Sequence, residues 1–237
     1  MALDKQALRE RVWDDLEESG VARFPFPPHG RIPNFAGASD AADRLADQPE
    51  WTDATTIKAN PDAPQLPVRR RALREGMTVY MAVPRLRDEK CFLKLDPDDL
   101  EDYDAATTVS GSSEHGEQIG PEEIDRIDLI VSGSVAVTEA GGRIGKGEGY
   151  SDLEYAVLRE LGLVDEETPV ATTVHERQVV DEPVALAAHD VAMELVVTPD
   201  RVVRPERSDQ PTGLDWDLID DRRDEIPVLR RLEEASR

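Results

Sequence analysis

The segment Arg143-Ile144-Gly145-Lys146-Gly147-Glu148-Gly149-Tyr150-Ser151-Asp152 carries the residue types and spacing best suited to chemistry. Glycine has no Cβ and adopts φ > 0 freely, so three glycines alternating with side chains let backbone N–H groups approach an anion closely. A helical pattern opens at Ser151 and Asp152, and a helix N-terminus adds unsatisfied donors and aligned dipoles. Arg143 and Lys146 supply positive charge, and Asp152 is a carboxylate that could hold a metal ion. The pattern fits a loop for nucleotide phosphates, although glycine-rich stretches serve as often as tight turns. Two familiar phosphate motifs are excluded by spacing. Gly147, not Ser or Thr, follows Lys146, and Tyr150 stands where a dinucleotide fingerprint needs its third glycine.

A second candidate is His189-Asp190, just ahead of a strand pattern at 195–198. With Asp152 it could make a two-carboxylate Mg²⁺ site, the rest of whose shell is phosphate oxygen and water. From spacing alone, a simple loop cap is the better reading of the pair. A third is charge: Lys58, Arg69, Arg70, Arg71, Arg74, Arg85, Arg87, Lys90 and Lys94 stand against only Asp62, Glu75, Asp88 and Glu89. Such a cationic island suits an anionic substrate, but on a helix 69–74 equally suits a solvated or salt-bridged face. His29, His115 and His175 are scattered. The absence of HExxH and of G-x-S-x-G argues against a zinc enzyme and a serine hydrolase.

These groups need a scaffold. Leu8, Val12 and Leu16 recur at helical spacing and predict a helix over 4–19, with Lys5 and Arg9 one turn apart on a neighbouring face. Pro25, Pro27, Pro28 and Pro33 predict an irregular loop, followed by a short helix through 41–45. Strands are expected at 55–59, 78–83, 91–94, 127–131 (continuing at 135–137 after a small-residue break), 170–174, 195–198 and 202–203. Helices are expected at 68–75 and 151–161, the latter stopped by Gly162. The acidic stretch 96–120 reads as mostly loop. Short apolar strands alternating with helices imply an α/β fold, one domain with a mainly parallel sheet flanked by helices. Its predicted span is 1–204, with 205–237 a helical extension docked on the core through residues such as Trp216, Ile226 and Leu229.

Composition bounds the rest. At 237 residues and 39% hydrophobic content the chain can bury a real core, despite a net charge of −23 from 51 acidic and 28 basic residues. Only Lys5, Lys58, Lys90, Lys94 and Lys146 are lysines. Acid surplus, scarce lysine and few aromatics point to a halophilic, archaeal origin, an acidic mesophilic protein being the alternative. The charge also argues against general nucleic-acid binding, which needs a basic surface. The single Cys91 excludes a disulfide framework. No signal-peptide core and no run of about 20 apolar residues is present, so a soluble cytoplasmic protein is expected.

Three blocks, in order, resemble the 5-formyltetrahydrofolate cyclo-ligase family, the methenyltetrahydrofolate synthetases. Lys5-Gln6-Ala7-Leu8-Arg9 is similar to the family's K-x-x-L-R start, and 143–152 to its R-L-G-x-G-x-G-Y-Y-D signature. Gln178-Val179-Val180, His189-Asp190 and Val196-Val197-Thr198 are similar to its Q-V-V … H-D … V-T ending. The resemblance implies a fold shared with ribose-phosphate isomerase and CoA-transferase relatives. It implies ATP contacts from Lys5, Arg9, Arg143, Ile144, Gly145, Lys146, Gly147, Glu148, Gly149 and Tyr150, with Arg143 and Lys146 catalytic. It also implies Mg²⁺ on Asp152 and Asp190. In the family reaction ATP phosphorylates the formyl oxygen of 5-formyltetrahydrofolate; a second nitrogen closes the ring and phosphate leaves, giving 5,10-methenyltetrahydrofolate. Two departures stand out. Ser151 replaces the second signature tyrosine, and the folate-contacting glutamate of an E-[IV]-x-T segment has no counterpart. Lys58-Ala59-Asn60-Pro61-Asp62-Ala63-Pro64-Gln65 before Val68-Arg69, Pro84-Arg85-Leu86 and Val174-His175-Glu176 are more similar to the paralogous methenyltetrahydrofolate synthetase domain proteins. That branch implies another acceptor, an N-formyl or amide compound linked to thiamin metabolism, or a nucleotide- or folate-binding module with little turnover.

Overall fold

The computed structural model describes residues 4–235; the outermost residues of both predicted segments, 1–3 and 236–237, lie outside the described residues. Helix α1 (Lys5–Glu18) leads through β1 (Ala22–Arg23) and β2 (Asn34–Phe35) to α2 (Ala38–Ala46) and α3 (Pro49–Thr52). Then come β3 (Thr56–Ala59), α4 (Leu66–Arg74), β4 (Thr78–Ala82), β5 (Phe92–Leu95), α5 (Tyr103–Ala106), α6 (Val109–His115) and β6 (Glu117–Ile119). The second half holds β7 (Leu129–Val131), β8 (Ala136–Thr138), β9 (Arg143–Ile144), α7 (Tyr150–Glu160), β10 (Val170–Thr173), β11 (Val179–Val180), β12 (Leu195–Val197), β13 (Val202–Val203) and α8 (Pro227–Ala235).

The main sheet has eight strands in the order β13-β12-β10-β7-β3-β4-β5-β6. Five strands, β12 to β4, run parallel; β13 and β5 run against them, and the edge strand β6 pairs antiparallel with β5. Both faces are covered, which is why the central strands read as near-continuous apolar runs. Successive side chains alternate between faces. Ile57, Ala59, Val79, Met81, Leu129 and Val131 pack against α2, α3 and α4. Tyr80, Ile130, Val170 and Val196 face α7 and α8. A smaller sheet, β11-β8-β9, receives Leu8, Val12, Trp13 and Leu16 of α1.

Two expectations are corrected. The chain does not run straight from β7 into β8: the small residues Ser132-Gly133-Ser134 carry it out of the main sheet into the smaller one. Nor is 96–120 mostly loop. Asp102 accepts hydrogen bonds from the N–H groups of Asp104 and Ala105 (2.9 and 3.0 Å), and Thr108 accepts from Gly111 N–H at 2.9 Å. Such caps satisfy orphan donors and start the short helices α5 and α6 within an acidic stretch. The arginine-rich helix α4 is salt-bridged rather than open to a ligand. Arg70 and Arg74 meet Asp104 (3.0 and 2.7 Å), Arg71 meets Asp43 (2.8 Å), and Arg69, 1% exposed, donates to the carbonyls of Asn60, Asp62 and Thr107. Beyond residue 204, Ile226, Val228 and Leu229 are buried against the α7 face of the sheet. No helix among the described residues is long and apolar enough to cross a membrane.

Candidate functional site

From β3 the chain builds the sheet outward on one side through β4, β5 and β6, then returns to the other side of β3 with β7, β10 and β12. In parallel sheets the loops at the carboxyl ends part at such a reversal and leave a crevice. Here the loops after β3 (60–63) and β7 (132–134) part, and a cleft of about 560 Å³ opens. Its lining brings together every predicted site residue: Lys5 and Arg9 of α1, the whole loop 143–152, and Asp190.

The loop owes its shape to two glycines. Gly147 (φ 106°) and Gly149 (φ 70°) lie in the left-handed region, where a Cβ would be strained. Gly149 is the N-cap of α7. The N–H groups from Lys146 to Asp152 find no backbone acceptor among the described residues, so they remain available to an anion. Lys146 Nζ lies 2.8 Å from the Glu148 carboxylate, a half-exposed pair that a stronger anion can displace.

Arg143, for which the resemblance implies an ATP contact, is engaged with protein partners. It is 7% exposed. Nη1 donates to the Gly133 carbonyl (3.0 Å), and Nη2 to both oxygens of Asp152 (2.8 and 2.7 Å). Its donors tie the loop after β7 to the start of α7. Arg9 donates from Nε to the Gly145 carbonyl (2.7 Å), and burial lowers its pKa. Lys5 Nζ donates to Asp190 at 2.9 Å. Helix α1 therefore locks both ends of the cleft.

Asp152 and Asp190 are neighbours: the Val191 N–H donates to Asp152 Oδ1 at 3.1 Å. Among the described residues no group of three or more His, Cys, Asp or Glu gathers, so a metal here would rest on these two. Their lone pairs allow it. Asp190 Oδ2 accepts from Lys5 and from Ala187 N–H (2.9 Å each), leaving Oδ1 with His189 at 3.7 Å. Asp152 uses three of about four acceptor sites. Burial raises the Asp190 carboxyl, but the Ala187 N–H and the Lys5 ammonium outweigh it and hold the pKa below its ordinary value. The donor set fits a hard cation carrying phosphate oxygens and water.

Other residues of the cleft take their surroundings from the fold, although Lys58 and Arg85 belong to the cationic island of the sequence and Asp62 is one of its few acids. Asp62, half-buried on the loop after β3, has its pKa raised by burial, against the opposing pull of Lys146, Arg69 and Lys58. It supplies a carboxylate in the region where the family glutamate is missing. Under it Lys58, 1% exposed, forms a buried ion pair with Glu154, 5% exposed, and reaches Asn60 Oδ1 at 3.4 Å. Lys58 sits on the α7 face of β3 because it alternates with Ile57 and Ala59, and that alternation is the sequence signal for its burial. Arg31 lines the cleft with a buried Nε that has no hydrogen-bond partner among the described residues. Arg85, at φ 63°, is another cation of the rim. Ser151, in place of the signature tyrosine, lies with its hydroxyl 3.5 Å from that of Ser132.

Residues 3–199 match the model of the 5-formyltetrahydrofolate cyclo-ligase family. The chain is 42% identical over 245 residues to a methenyltetrahydrofolate synthase domain-containing protein of Mus musculus, covering 99% of this chain and 64% of that protein. It is 39% identical over 238 residues to the Homo sapiens protein of the same name, covering 98% and 62%. It thus spans under two thirds of the length of these relatives. The NMR structure of Aquifex aeolicus 5,10-methenyltetrahydrofolate synthetase shares the fold, with a TM-score of 0.51, 18% identity, and coverage of 87% of this chain and 95% of that one. The glycine loop, the cleft at the reversal of the sheet and a match over most of the sequence lead to one statement: this chain belongs to the 5-formyltetrahydrofolate cyclo-ligase family.

Proposed function

We propose that the protein is an ATP- and Mg²⁺-dependent ligase of the cyclo-ligase type, acting on a reduced folate or a similar N-formyl or amide compound. The observation that carries this reading is the convergence of unpaired loop N–H groups, Lys5, Arg9 and Lys146, and the carboxylates Asp152 and Asp190 in one cleft. The loop N–H groups and Lys146 bind the triphosphate. Arg143 holds Asp152 and the Gly133 carbonyl in position, and Arg9 holds the Gly145 carbonyl. A magnesium ion held by Asp152 and Asp190 would neutralise phosphate charge. The chemical logic is carbonyl activation: the formyl oxygen takes the γ-phosphoryl group, and a poor leaving oxygen becomes phosphate, its charge held by cations and backbone donors.

The acceptor half of the cleft favours a second reading, in which the same activation serves a different acceptor, including one linked to thiamin metabolism. Ser151 removes an aromatic wall, Asp62 is shorter than glutamate, and the 42% identical relative carries the domain-containing name. A binding module with little turnover is the third possibility, and the retained Asp152 and Asp190 speak against it. We also read 1–204 as the catalytic unit with 205–237 as its extension, and the acidic composition as adaptation to a salt-rich, archaeal cytoplasm.

The test is an assay in high salt with ATP, Mg²⁺ and 5-formyltetrahydrofolate, following the methenyl chromophore and ADP. ATP-dependent growth of both signals supports the cyclo-ligase. ATP binding without chromophore, with ADP release stimulated by a thiamin-pathway intermediate, supports the changed acceptor. No ATP binding contradicts both.

A further inference from the structure

Residues beyond 204 touch the cleft's framework at two separated points. Arg222 Nη2 donates to the Glu148 carbonyl at 2.7 Å, and its guanidinium lies 5.0 Å from the centre of the Tyr150 ring. Gln210 pairs with Ala192 in both directions, donating to its carbonyl (2.9 Å) and accepting from its N–H (3.2 Å). Ala192 follows Val191, whose N–H holds Asp152. Between these points the Leu214 N–H donates to Glu160 at the end of α7 (3.1 Å), and Arg223 stacks on Trp216. After them Ile226, Val228 and Leu229 are buried in the core, at 2%, 0% and 0% exposure. The tail therefore runs as a strap from the Asp190 segment, across α7, to the glycine loop.

Peptide geometry gives the contact at Glu148 a consequence. In a trans peptide the C=O and the following N–H point in opposite directions. Arg222 is not part of the cleft lining, whereas Gly149 is. Drawing the Glu148 carbonyl outward to Arg222 turns the Gly149 N–H inward. Stacking of the cation on the Tyr150 ring fixes the next residue. Gly149, at φ 70°, has no side chain to hold it otherwise.

We propose that 205–229 is a strap that presets the phosphate loop, with Arg222 as a positioning residue that aims the Gly149 N–H at the anion without touching it. The inference rests on the nucleotide reading of the loop, but its first readout does not. Backbone NMR order parameters of the 145–150 amides in the ligand-free protein, and the Kd of a non-hydrolysable Mg·ATP analogue by calorimetry, would be measured for wild type, Arg222→Ala, Arg222→Lys and Gln210→Ala. Arg222→Ala is expected to lower the loop order parameters from about 0.85, the value of a rigid backbone, to below about 0.6. It is also expected to raise Kd about tenfold, with the thermal midpoint little changed and Arg222→Lys restoring part of both. Gln210→Ala, whose effect enters from the other end, keeps the test open if Arg222→Ala fails to fold. Unchanged loop order in Arg222→Ala, or in Gln210→Ala if that variant alone folds, would overturn the strap. Absence of nucleotide binding in the wild type would instead sink the functional reading, leaving the order parameters to decide the strap alone.

Discussion

Lys58 and Glu154 form an ion pair at 1% and 5% exposure beneath the cleft. Taking two charges out of water costs several kcal/mol each, and removing one partner leaves the other unpaired. Lys58→Met is therefore expected to destabilise the protein by about 3–5 kcal/mol, and Lys58→Met with Glu154→Leu to recover most of that loss. Urea denaturation of the two variants measures both. Asp62 obeys a different balance. Burial favours its protonated form and raises its pKa above the ordinary 3.8. As pH rises from 3.8 through the raised value, the unfolded chain releases its proton first, so the fold loses stability in that window. Asp62→Asn is thus expected to melt higher than wild type at pH 7 and equally at pH 3, while losing turnover. Thermal melts at the two pH values, with the ATP assay, check it; a lower midpoint at pH 7 would contradict the sign.

At the scale of elements, the start of β3 is clasped to the start of β7 by one carboxylate. Burial would raise the Asp128 pKa, but the N–H and hydroxyl donors of Thr55 and Thr56 outweigh it and lower it below 3.8. Stability from this clasp is present above pH 3.8 and is lost as pH falls through the lowered value. Asp128→Ala is expected to cost about 2 kcal/mol at pH 7, in the range for hydrogen bonds to a charged group, with the difference vanishing in acid; urea melts at the two pH values measure it. The same register explains what the sequence discloses. Gly147 and Gly149 are legible because φ > 0 is a local requirement, and α1 and α7 because their apolar period is local. The burial of Lys58 and Asp62 is not, since their surroundings come from β7, α7 and the loop after β9. Ser132–Ser134 misleads because small residues break a strand without saying which sheet comes next.

For the whole molecule, a net charge of −23 repels itself at low salt. The Debye length shrinks from about 10 Å at 0.1 M to about 3 Å at 1 M. Exposed pairs such as Arg201–Glu139 and Arg231–Glu122 lose little by this, as surface pairs contribute about 0–1 kcal/mol. The melting temperature is therefore expected to rise between 0.1 and 1 M KCl, and a fall in a salt series would contradict the reading of the charge. The cationic residues of the cleft, gathered at the sheet reversal, are the exception to this acidic surface, and the proposed function depends on them. The most direct test is a crystal structure with Mg²⁺ and a non-hydrolysable ATP analogue. The predicted result is triphosphate density over the N–H groups of 145–149, with the metal between Asp152 and Asp190. Nucleotide bound elsewhere, with that loop bare, would contradict it.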